Sequence, residues 1–252
     1  MMVKKSFAKV NIFLKIVGVR DNYHLLASRF VLVKDLYDEV SFIEKSVDSF
    51  TLIGDFSCSL EKNTVYKAYK ELEKYEIVRE FFKKYIVKID KKIPEFAGLG
   101  GGSSNCATFL NMVNDICNLN LTKDELSKIG AKIGADIPFF IYEYDSANVS
   151  GIGEIVEEFI EEPLKIEVVT PNILCNTALI YKTFRENYYK ELDKEKAKEL
   201  FATNSKDILK SFSIKEANDL YESALSLNPD LKEFEKEKWF FSGSGSSFFK
   251  VL

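Results

Sequence analysis

A dense cluster of glycines limits what the middle of this 252-residue chain can form. Residues 93–104 read IPEFAGLGGGSS and hold four of the chain's 12 glycines. β-branched residues at 86–93 predict a strand before the cluster, and the spacing of apolar residues predicts a helix after it, from about Ser103 to Ile116. Glycines let backbone N–H groups converge on one anion, and a helix start adds unpaired amides and a positive dipole end. The sequence therefore predicts a phosphate-binding loop.

Two common phosphate-binding loops do not fit this cluster. A Walker loop requires Gly-Lys-Ser/Thr, whereas Gly102 is followed by Ser103 and Ser104 with no lysine. A dinucleotide-binding loop that begins at Gly98 would require glycine at position 103, and the next acidic pair, at 124 and 125, lies at a helix start. From the glycines alone, a simple turn stays open as the alternative.

Composition indicates an ordinary globular protein with one large domain or two small ones. Hydrophobic residues make up 46% of the chain, which is ample for a packed core. The net charge of −4 argues against a surface that binds a nucleic-acid backbone, because such domains usually carry a basic stripe. Runs in which Lys and Glu alternate, such as 194–199, are most simply solvated helix faces.

Cysteine usage and hydropathy predict a soluble cytoplasmic protein. Cys58, Cys106, Cys117 and Cys175 form no C-x-x-C pair, and the N-terminus does not resemble a signal peptide. No apolar stretch approaches the ~20 residues that a membrane-spanning helix needs. We therefore expect a reducing compartment and no membrane partner.

The chain has a single histidine, His24, and this count excludes several mechanisms. A zinc site with several histidines is impossible. A Ser-His-Asp or Cys-His hydrolase could use only His24, which lies in a predicted turn without a nucleophile motif nearby. Candidate catalytic groups are therefore Lys, Asp, Ser and the backbone.

Periodicity predicts strands at 6–17, 25–33, 38–43, 49–53, 86–93 and 165–170. Further helices are predicted at 63–75, 123–129, 178–189, 194–202 and 214–225, with Asn63 or Thr64 as the first N-cap and a capping box from Thr122 to Glu125. Pro138 predicts a first helical turn, with Asp136 at its exposed end. A change in pattern near residue 160 predicts domains 1–160 and 161–252.

Four segments in a fixed order carry a family resemblance: AKVNIFLKIVGVRDNYH, PEFAGLGGGSSNCAT, IGADIPFF and SGSGSS. Together they resemble the GHMP family of small-molecule kinases across nearly the whole chain. The resemblance implies an α+β fold of two domains. The N-terminal one would be a ribosomal-protein-like β/α domain that binds ATP, and the C-terminal one a ferredoxin-like α+β domain.

Two departures from the family pattern accompany the resemblance. The turn before Tyr23 is about one residue short and has Asn22 where glycine is common, although asparagine tolerates the left-handed conformation. The chain also ends soon after SGSGSS, where family members usually continue, so either the C-terminal domain is trimmed or the sequence is short.

The resemblance implies ATP and Mg²⁺ as cofactors. The phosphate loop would wrap the ATP phosphates with Pro94, Glu95, Phe96, Ala97, Gly98, Leu99, Gly100, Gly101, Gly102, Ser103 and Ser104. Either serine could contact magnesium, and simple capping of the helix is the alternative.

Asp136 and Lys9 correspond to the family's catalytic pair. Asp136 would accept the proton of the substrate hydroxyl, and its alternative role is a helix cap before Pro138. Lys9 would be its partner, because a cation within ~4–6 Å keeps a carboxylate ionised and can polarise the same hydroxyl. The alternative for Lys9 is an exposed strand lysine.

The first segment most resembles family members that act on CDP-linked methylerythritol. By that resemblance His24 meets the cytosine edge, Tyr181 stacks on the ring, and Asn11 and Thr177 hold the erythritol or phosphate portion, with Tyr23 as a further aromatic candidate. Core or rim packing is the alternative for both tyrosines. The loop 242–247 would bring Gly243 and Gly245 close to substrate or ATP, and a hairpin turn is its alternative.

The resemblance thus implies an ATP-dependent kinase that phosphorylates the 2-hydroxyl of CDP-methylerythritol in the non-mevalonate isoprenoid route. It would act on small molecules as a monomer or homodimer, with no nucleic-acid partner. One alternative is another kinase of the family, of the homoserine or mevalonate type, which would lack the base-stacking residues. A second is a noncatalytic RNA-associated domain of similar fold, against which the acidic charge balance argues.

Overall fold

The computed structural model describes residues 2–21, 23–190 and 192–252. The predicted left-handed turn residue Asn22 lies outside the described residues. No described helix has the length and apolar character needed to span a membrane.

The chain forms two compact units, each assembled from separate stretches of sequence. The first unit comprises Met1–Ala8, Lys34–Glu95 and Gly100–Glu143, and the second comprises Lys9–Val33, Phe96–Leu99 and Tyr144–Leu252. Strands β1 (Met2–Arg20) and β2 (Tyr23–Glu44) contribute residues to both units. The predicted division into 1–160 and 161–252 stays a prediction.

The first unit combines paired strands with helices. β2 pairs antiparallel with β4 (Tyr85–Asp90), which places Val40 opposite Ile89 and Phe42 opposite Val87, and β3 (Leu52–Ile53) runs parallel to β4. Its helices are α1 (Thr64–Leu72), α2 (Glu76–Phe81), α3 (Gly101–Ile116), α4 (Lys123–Ile133) and α5 (Ile137–Tyr142). In its core, Phe42 meets Phe82 and Phe109 edge to face, at 5.5 and 5.9 Å between ring centroids, which is a favoured aromatic arrangement.

The second unit has two groups of antiparallel strands. β2 pairs with β5 (Ser146–Gly151), which pairs with β6 (Ile155–Glu158), while β9 (Phe248–Val251) lies between β7 (Ile166–Val169) and β8 (Phe240–Phe241). Its helices are α6 (Thr177–Asn187), α7 (Lys194–Ala202), α8 (Ser205–Ser211), α9 (Ile214–Ala217) and α10 (Tyr221–Leu227). Buried side chains from strands and helices, including Ile16, Phe184 and Tyr221, form its core. This mixture of helices and antiparallel strands confirms the predicted α+β class.

Local sequence signals predicted several helix ends correctly. The Asn63 side chain accepts a hydrogen bond of 2.9 Å from the backbone N–H of Val65 and so caps α1. Thr122 and Glu125 form the predicted capping box at the start of α4. Pro138 lies in the first turn of α5, as predicted.

Tertiary contacts overrode other predictions. The strands predicted at 25–33 and 38–43 are one continuous strand, β2, and β5, β6, α2 and α8 were not predicted. The single helix predicted at 214–225 was wrong, because the chain leaves the helical conformation at Asn218. There the Asn218 side-chain amide donates to the carbonyls of Phe241 and Gly243, both at 2.9 Å, and the Asp219 N–H donates to Leu14 O at 3.0 Å. Long-range hydrogen bonds thus replace those of a continuous helix.

Candidate active site

The phosphate loop has the backbone conformation that its glycines permit. Gly98 and Gly100 have φ angles of 74° and 71°, in the left-handed region that favours glycine. α3 begins directly at Gly101, two residues earlier than predicted, and Gly100 gives it no side-chain cap. Gly102 is exposed, and a Cβ atom there would meet only the Thr64 hydroxyl, at 3.8 Å. The first turn of α3 therefore presents backbone N–H groups next to open space.

The side chains of the phosphate loop before Gly100 differ in exposure. Ala97 and Leu99 are buried, so they can offer a ligand only backbone groups. The Glu95 carboxylate accepts hydrogen bonds from the hydroxyl and the N–H of Ser57, and Phe96 is 63% exposed. Pro94 is exposed as well.

Ser103 and Ser104 differ in environment although they are neighbours. Ser104 is buried, its hydroxyl accepts a hydrogen bond of 2.7 Å from Ser6, and its N–H donates to Gly100 O at 2.8 Å. Ser103 is half-buried, and its hydroxyl lies 3.8 Å from the position that a Cβ atom on Gly134 would occupy. The start of α3 thus lies beside the turn that leads to Asp136 in the first unit.

Asp136 occupies the N-cap position of α5 but does not cap it. It precedes the first helical residue with φ −82° and ψ −10°, and its side chain makes no capping hydrogen bond. The side chain is half-buried, and the turn before it is closed by the Ile137 N–H, which donates to Gly134 O at 3.2 Å. The alternative role of Asp136 as a helix cap is therefore wrong.

Lys9 lies on β1, in the second unit, and is bound to the phosphate loop. Its ammonium donates to the Asn11 side-chain oxygen at 2.7 Å and to Gly98 O at 3.0 Å, and its N–H donates to Leu99 O at 2.9 Å. The Phe30 ring lies 4.6 Å from the ammonium. Lys9 is only 3% exposed, so the alternative of an exposed strand lysine is wrong.

The C-terminal glycine loop (Ser242–Ser247) packs against the phosphate loop within the second unit. The Ser242 hydroxyl donates to Gly98 O at 3.0 Å, and the Ser247 N–H donates to Ala97 O at 3.1 Å. A Cβ atom on Gly98 would overlap the Ser242 carbonyl oxygen, and one on Gly243 would lie 3.1 Å from Gly98 O. The two loops can approach this closely because glycine occupies both positions.

Two polar pairs accompany this contact between the loops. Asn11 donates through its side-chain amide to the Ser28 hydroxyl at 3.0 Å, and its oxygen lies 3.5 Å from a Cβ position on Gly243. Thr177 and Ser244 share a hydrogen bond of 2.7 Å between their hydroxyls. A Cβ atom on Gly245 would overlap the Phe241 ring, so close packing requires glycine there too.

The aromatic candidates also meet in the second unit. The rings of His24 and Tyr181 lie 5.2 Å apart, and Phe184 approaches His24 edge-on at 5.9 Å. His24 is buried, whereas Tyr23 is 62% exposed. Burial, and then the charge of Arg185, lower the pKa of His24 below its ordinary value of 6.5. The imidazole is therefore neutral at physiological pH.

Asp38 and Arg29 carry no sequence signal that separates them from other charged strand residues. Asp38 is fully buried beside the start of α3, and Arg29 is fully buried beneath the end of α7. Each is identified only by the partners that the fold brings to it.

The residues at the start of α3 fit a nucleotide phosphate. The uncapped first turn and the exposed Gly102 provide amide donors and space for an anion. Within the described part of the chain, no group of three or more His, Cys, Asp or Glu could hold a metal ion by itself.

Comparison with known proteins supports the same chemistry. Residues 63–144 match the family model described as the GHMP kinases N terminal domain. The 4-diphosphocytidyl-2-C-methyl-D-erythritol kinase of Sulfurimonas denitrificans is 52% identical, with 100% of this chain and 97% of the relative covered. The Helicobacter pylori enzyme of the same name is 38% identical, with 99% and 94% covered.

The chain belongs to the 4-diphosphocytidyl-2-C-methyl-D-erythritol kinase family of GHMP kinases. A crystal structure of 4-(cytidine 5'-diphospho)-2C-methyl-D-erythritol kinase has a TM-score of 0.75 to this chain at 27% identity, and covers 100% of this chain and 90% of that one. Mevalonate kinase from Methanococcus jannaschii has a TM-score of 0.60 at 18% identity, with 100% and 90% covered, which shows a shared fold alone.

Membership of the 4-diphosphocytidyl-2-C-methyl-D-erythritol kinase family makes the protein an ATP-dependent small-molecule kinase. It decides against the noncatalytic RNA-associated alternative. It also decides against a homoserine or mevalonate kinase, because the relatives with 38–52% identity carry the cytidyl enzyme's name.

Proposed function

We propose that the protein transfers the γ-phosphoryl group of ATP to the 2-hydroxyl of 4-diphosphocytidyl-2-C-methyl-D-erythritol, and that it yields the 2-phosphate and ADP. The observation that carries this proposal is the likeness to enzymes of that name over the whole chain, at up to 52% identity. The proposed setting is the cytoplasm, with small molecules as the partners.

The first turn of α3 binds the ATP phosphates in this proposal. The N–H groups of Gly101, Gly102 and Ser103 lack a side-chain cap and so can donate to phosphate oxygens. The Ser103 hydroxyl, rather than that of Ser104, is the one that contacts phosphate or magnesium, because Ser104 is buried and bonded to Ser6. Bound magnesium would neutralise charge on the transferring phosphates.

Asp136 acts as the general base. Its carboxylate accepts the proton of the 2-hydroxyl while that oxygen forms its bond to the γ-phosphorus and the bond to the ADP oxygen breaks. Asp136 is suited to this role by its place at the start of α5, because the turn that leads to it lies beside Ser103 at the start of α3. Lys9 supplies positive charge from a fixed position, since Asn11 and Gly98 hold its ammonium.

The second unit supplies the groups that recognise the cytidyl substrate in this proposal. Tyr23 and Tyr181 offer aromatic faces for stacking on the base, and His24 meets its polar edge. The His24 Nε2 atom is buried and has no hydrogen-bond partner among the described residues, so a ligand group would satisfy it. Asn11, Thr177 and the backbone at Gly243 and Gly245 hold the remainder of the substrate.

Measuring ADP release tests the proposal. The purified protein is assayed with ATP and magnesium against the cytidyl substrate, homoserine, mevalonate and no acceptor. We expect turnover with the cytidyl substrate alone. Turnover only with homoserine or mevalonate would overturn the acceptor assignment, and no turnover with any acceptor would overturn the proposed reaction.

A further inference from the structure

A buried polar cluster holds the start of α3 in the first unit. It consists of Ser6, Asp38, Lys91, Ser104 and Asn105, and we call it the Asp38 cluster. Four donors converge on the fully buried Asp38 carboxylate. Its Oδ1 accepts from the N–H groups of residues 92 and 93, at 2.6 and 2.8 Å, and its Oδ2 accepts from the Lys91 ammonium and, at 2.9 Å, from the Asn105 side chain.

The cluster reaches the first two turns of α3 through its other members. The Asn105 amide also donates to the Ser6 hydroxyl at 2.9 Å, which donates in turn to the Ser104 hydroxyl at 2.7 Å. Lys91 donates a second hydrogen bond, of 3.1 Å, to the Asn105 side-chain oxygen. Asp38 thus fixes the segment that follows β4 and the start of α3 relative to each other.

Lys91 lies directly beside the phosphate loop. Its Nζ atom is 3.3 Å from the position that a Cβ atom on Gly101 would occupy, and Gly101 is the first residue of α3. The Lys91 side chain is only 10% exposed. Among the described residues, two of its three N–H bonds are used, by Asp38 and Asn105.

A contribution to folding stability does not by itself explain why the Asp38–Lys91 pair lies beside the start of α3. A buried ion pair stabilises a fold little compared with apolar residues of similar volume. The Lys91 ammonium also lies at the positive end of the α3 dipole, where the Asp38 carboxylate is its counter-ion. An anion bound at the first turn of α3 would interact favourably with both the lysine and the helix.

We propose that Asp38 is a positioning residue for nucleotide binding. It holds the Lys91 ammonium and the first turn of α3 in positions from which both contact the ATP phosphates. This inference rests on the proposed function, since it takes ATP as the ligand of the phosphate loop.

Two variants test the positioning role. Asp38→Asn keeps the shape of the side chain, but it removes the charge and replaces one acceptor oxygen, which faces two donors, with an NH2 group that can only donate. Lys91→Met removes the ammonium and keeps the aliphatic stem. For each variant we expect the Michaelis constant for ATP to rise at least about 10-fold, while that for the cytidyl substrate changes less than about two-fold. We expect calorimetric ADP affinity to fall in parallel.

The neighbouring ion pair provides a matched control. Glu39 and Lys92 directly follow Asp38 and Lys91 in sequence, and their charged atoms are 3.6 Å apart on the surface. Glu39→Gln therefore changes one charge at the next position without entering the cluster. We expect both Michaelis constants and the ADP affinity to be unchanged in this variant.

The outcomes separate a positioning role from a structural one. Equal rises in both Michaelis constants, or a lower melting temperature with unchanged ADP affinity, would overturn the proposal. If Asp38→Asn does not fold, Lys91→Met decides by the same two readouts. A wild-type protein that binds ADP but phosphorylates no acceptor would overturn the proposed function. The ADP affinities of the variants and the wild type would then still decide the role of Asp38. A wild type without ADP affinity would overturn both.

Discussion

The imidazole of His24 lies against the ring of Tyr181, with 5.2 Å between ring centroids and 36° between their planes. The sequence separates these residues by more than half of the chain, and the second unit brings them together. The pair is partly covered by Phe184, whereas the neighbouring Tyr23 ring is largely exposed. The proposed cytidine site thus combines a packed pair with one open aromatic face.

Replacing Tyr181 with alanine should weaken binding of the cytidyl substrate. Loss of the ring removes a stacking face and uncovers His24, so we expect the Michaelis constant for this substrate to rise about 10-fold or more, with that for ATP unchanged. Tyr181→Phe keeps the ring and serves as the control. Steady-state kinetics with each substrate varied in turn checks this, and a defect confined to ATP would contradict the stacking role.

The pKa of His24 should lie below 6.5 in the folded protein. Burial disfavours the imidazolium, and Arg185 adds to this effect. Because the chain has one histidine, its imidazole resonance in an NMR titration is unambiguous. An apparent pKa at or above 6.5 would contradict the buried, neutral imidazole.

The lowered pKa of His24 should make the free energy of unfolding depend on pH. Below pH 6.5 the unfolded chain protonates His24 before the native protein does, so the free energy of unfolding falls as the pH falls. The slope from this residue is at most about 1.4 kcal/mol per pH unit. Urea unfolding at about pH 7.5 and about pH 5.5 should show a larger loss for the wild type than for His24→Gln. Equal losses of stability in the wild type and in His24→Gln would count against the lowered pKa of His24.

Asp136→Asn should abolish most turnover without affecting folding. Removing a general base typically slows a reaction by about 100-fold or more. Asparagine keeps the size of the aspartate side chain, so we expect the melting temperature and the affinity for ADP to change little. Single-turnover kinetics and thermal unfolding check both parts. Full activity in the variant would remove Asp136 from the mechanism.

Gly98→Ala should destabilise the second unit. A left-handed backbone costs a non-glycine residue about 1 kcal/mol or more, and the new Cβ atom would overlap the Ser242 carbonyl. We expect a loss of at least about 2 kcal/mol in the free energy of unfolding. Gly102→Ala, where a Cβ atom meets only Thr64 at 3.8 Å, should leave stability nearly unchanged. Denaturant titration compares the two.

Arg29→Met should cost about 3 kcal/mol of stability. The fully buried guanidinium donates to Leu200 O and Phe201 O at the end of α7 and stacks on Phe159. Burial lowers its pKa to about 10, partly offset by Glu161, so it stays charged at neutral pH. Arg20→Met, which removes an exposed ion pair, should cost less than about 1 kcal/mol. Similar losses of the two variants in urea unfolding would show that the hydrogen bonds of Arg29 to the end of α7 do not contribute this stability.

The sequence by itself determined the local features of this protein. Three such features are the glycines of the phosphate loop, the N-cap Asn63 and the capping box of α4. Each acts over two to five neighbouring residues, so the short segment that contains it determines the local conformation. The order of four motifs predicted the family and the α+β class, which the relatives and the fold confirm.

Only the tertiary structure decided which distant groups meet. The sequence cannot show that Ser104 turns inward toward Ser6, that Asp38 gathers donors from 53 to 67 residues away, or that Gly98 touches Ser242. It also predicted a helix through Asn218, where long-range hydrogen bonds end it. Such partners depend on the path of the whole chain, because a buried polar group is satisfied by whatever donor or acceptor the fold places beside it.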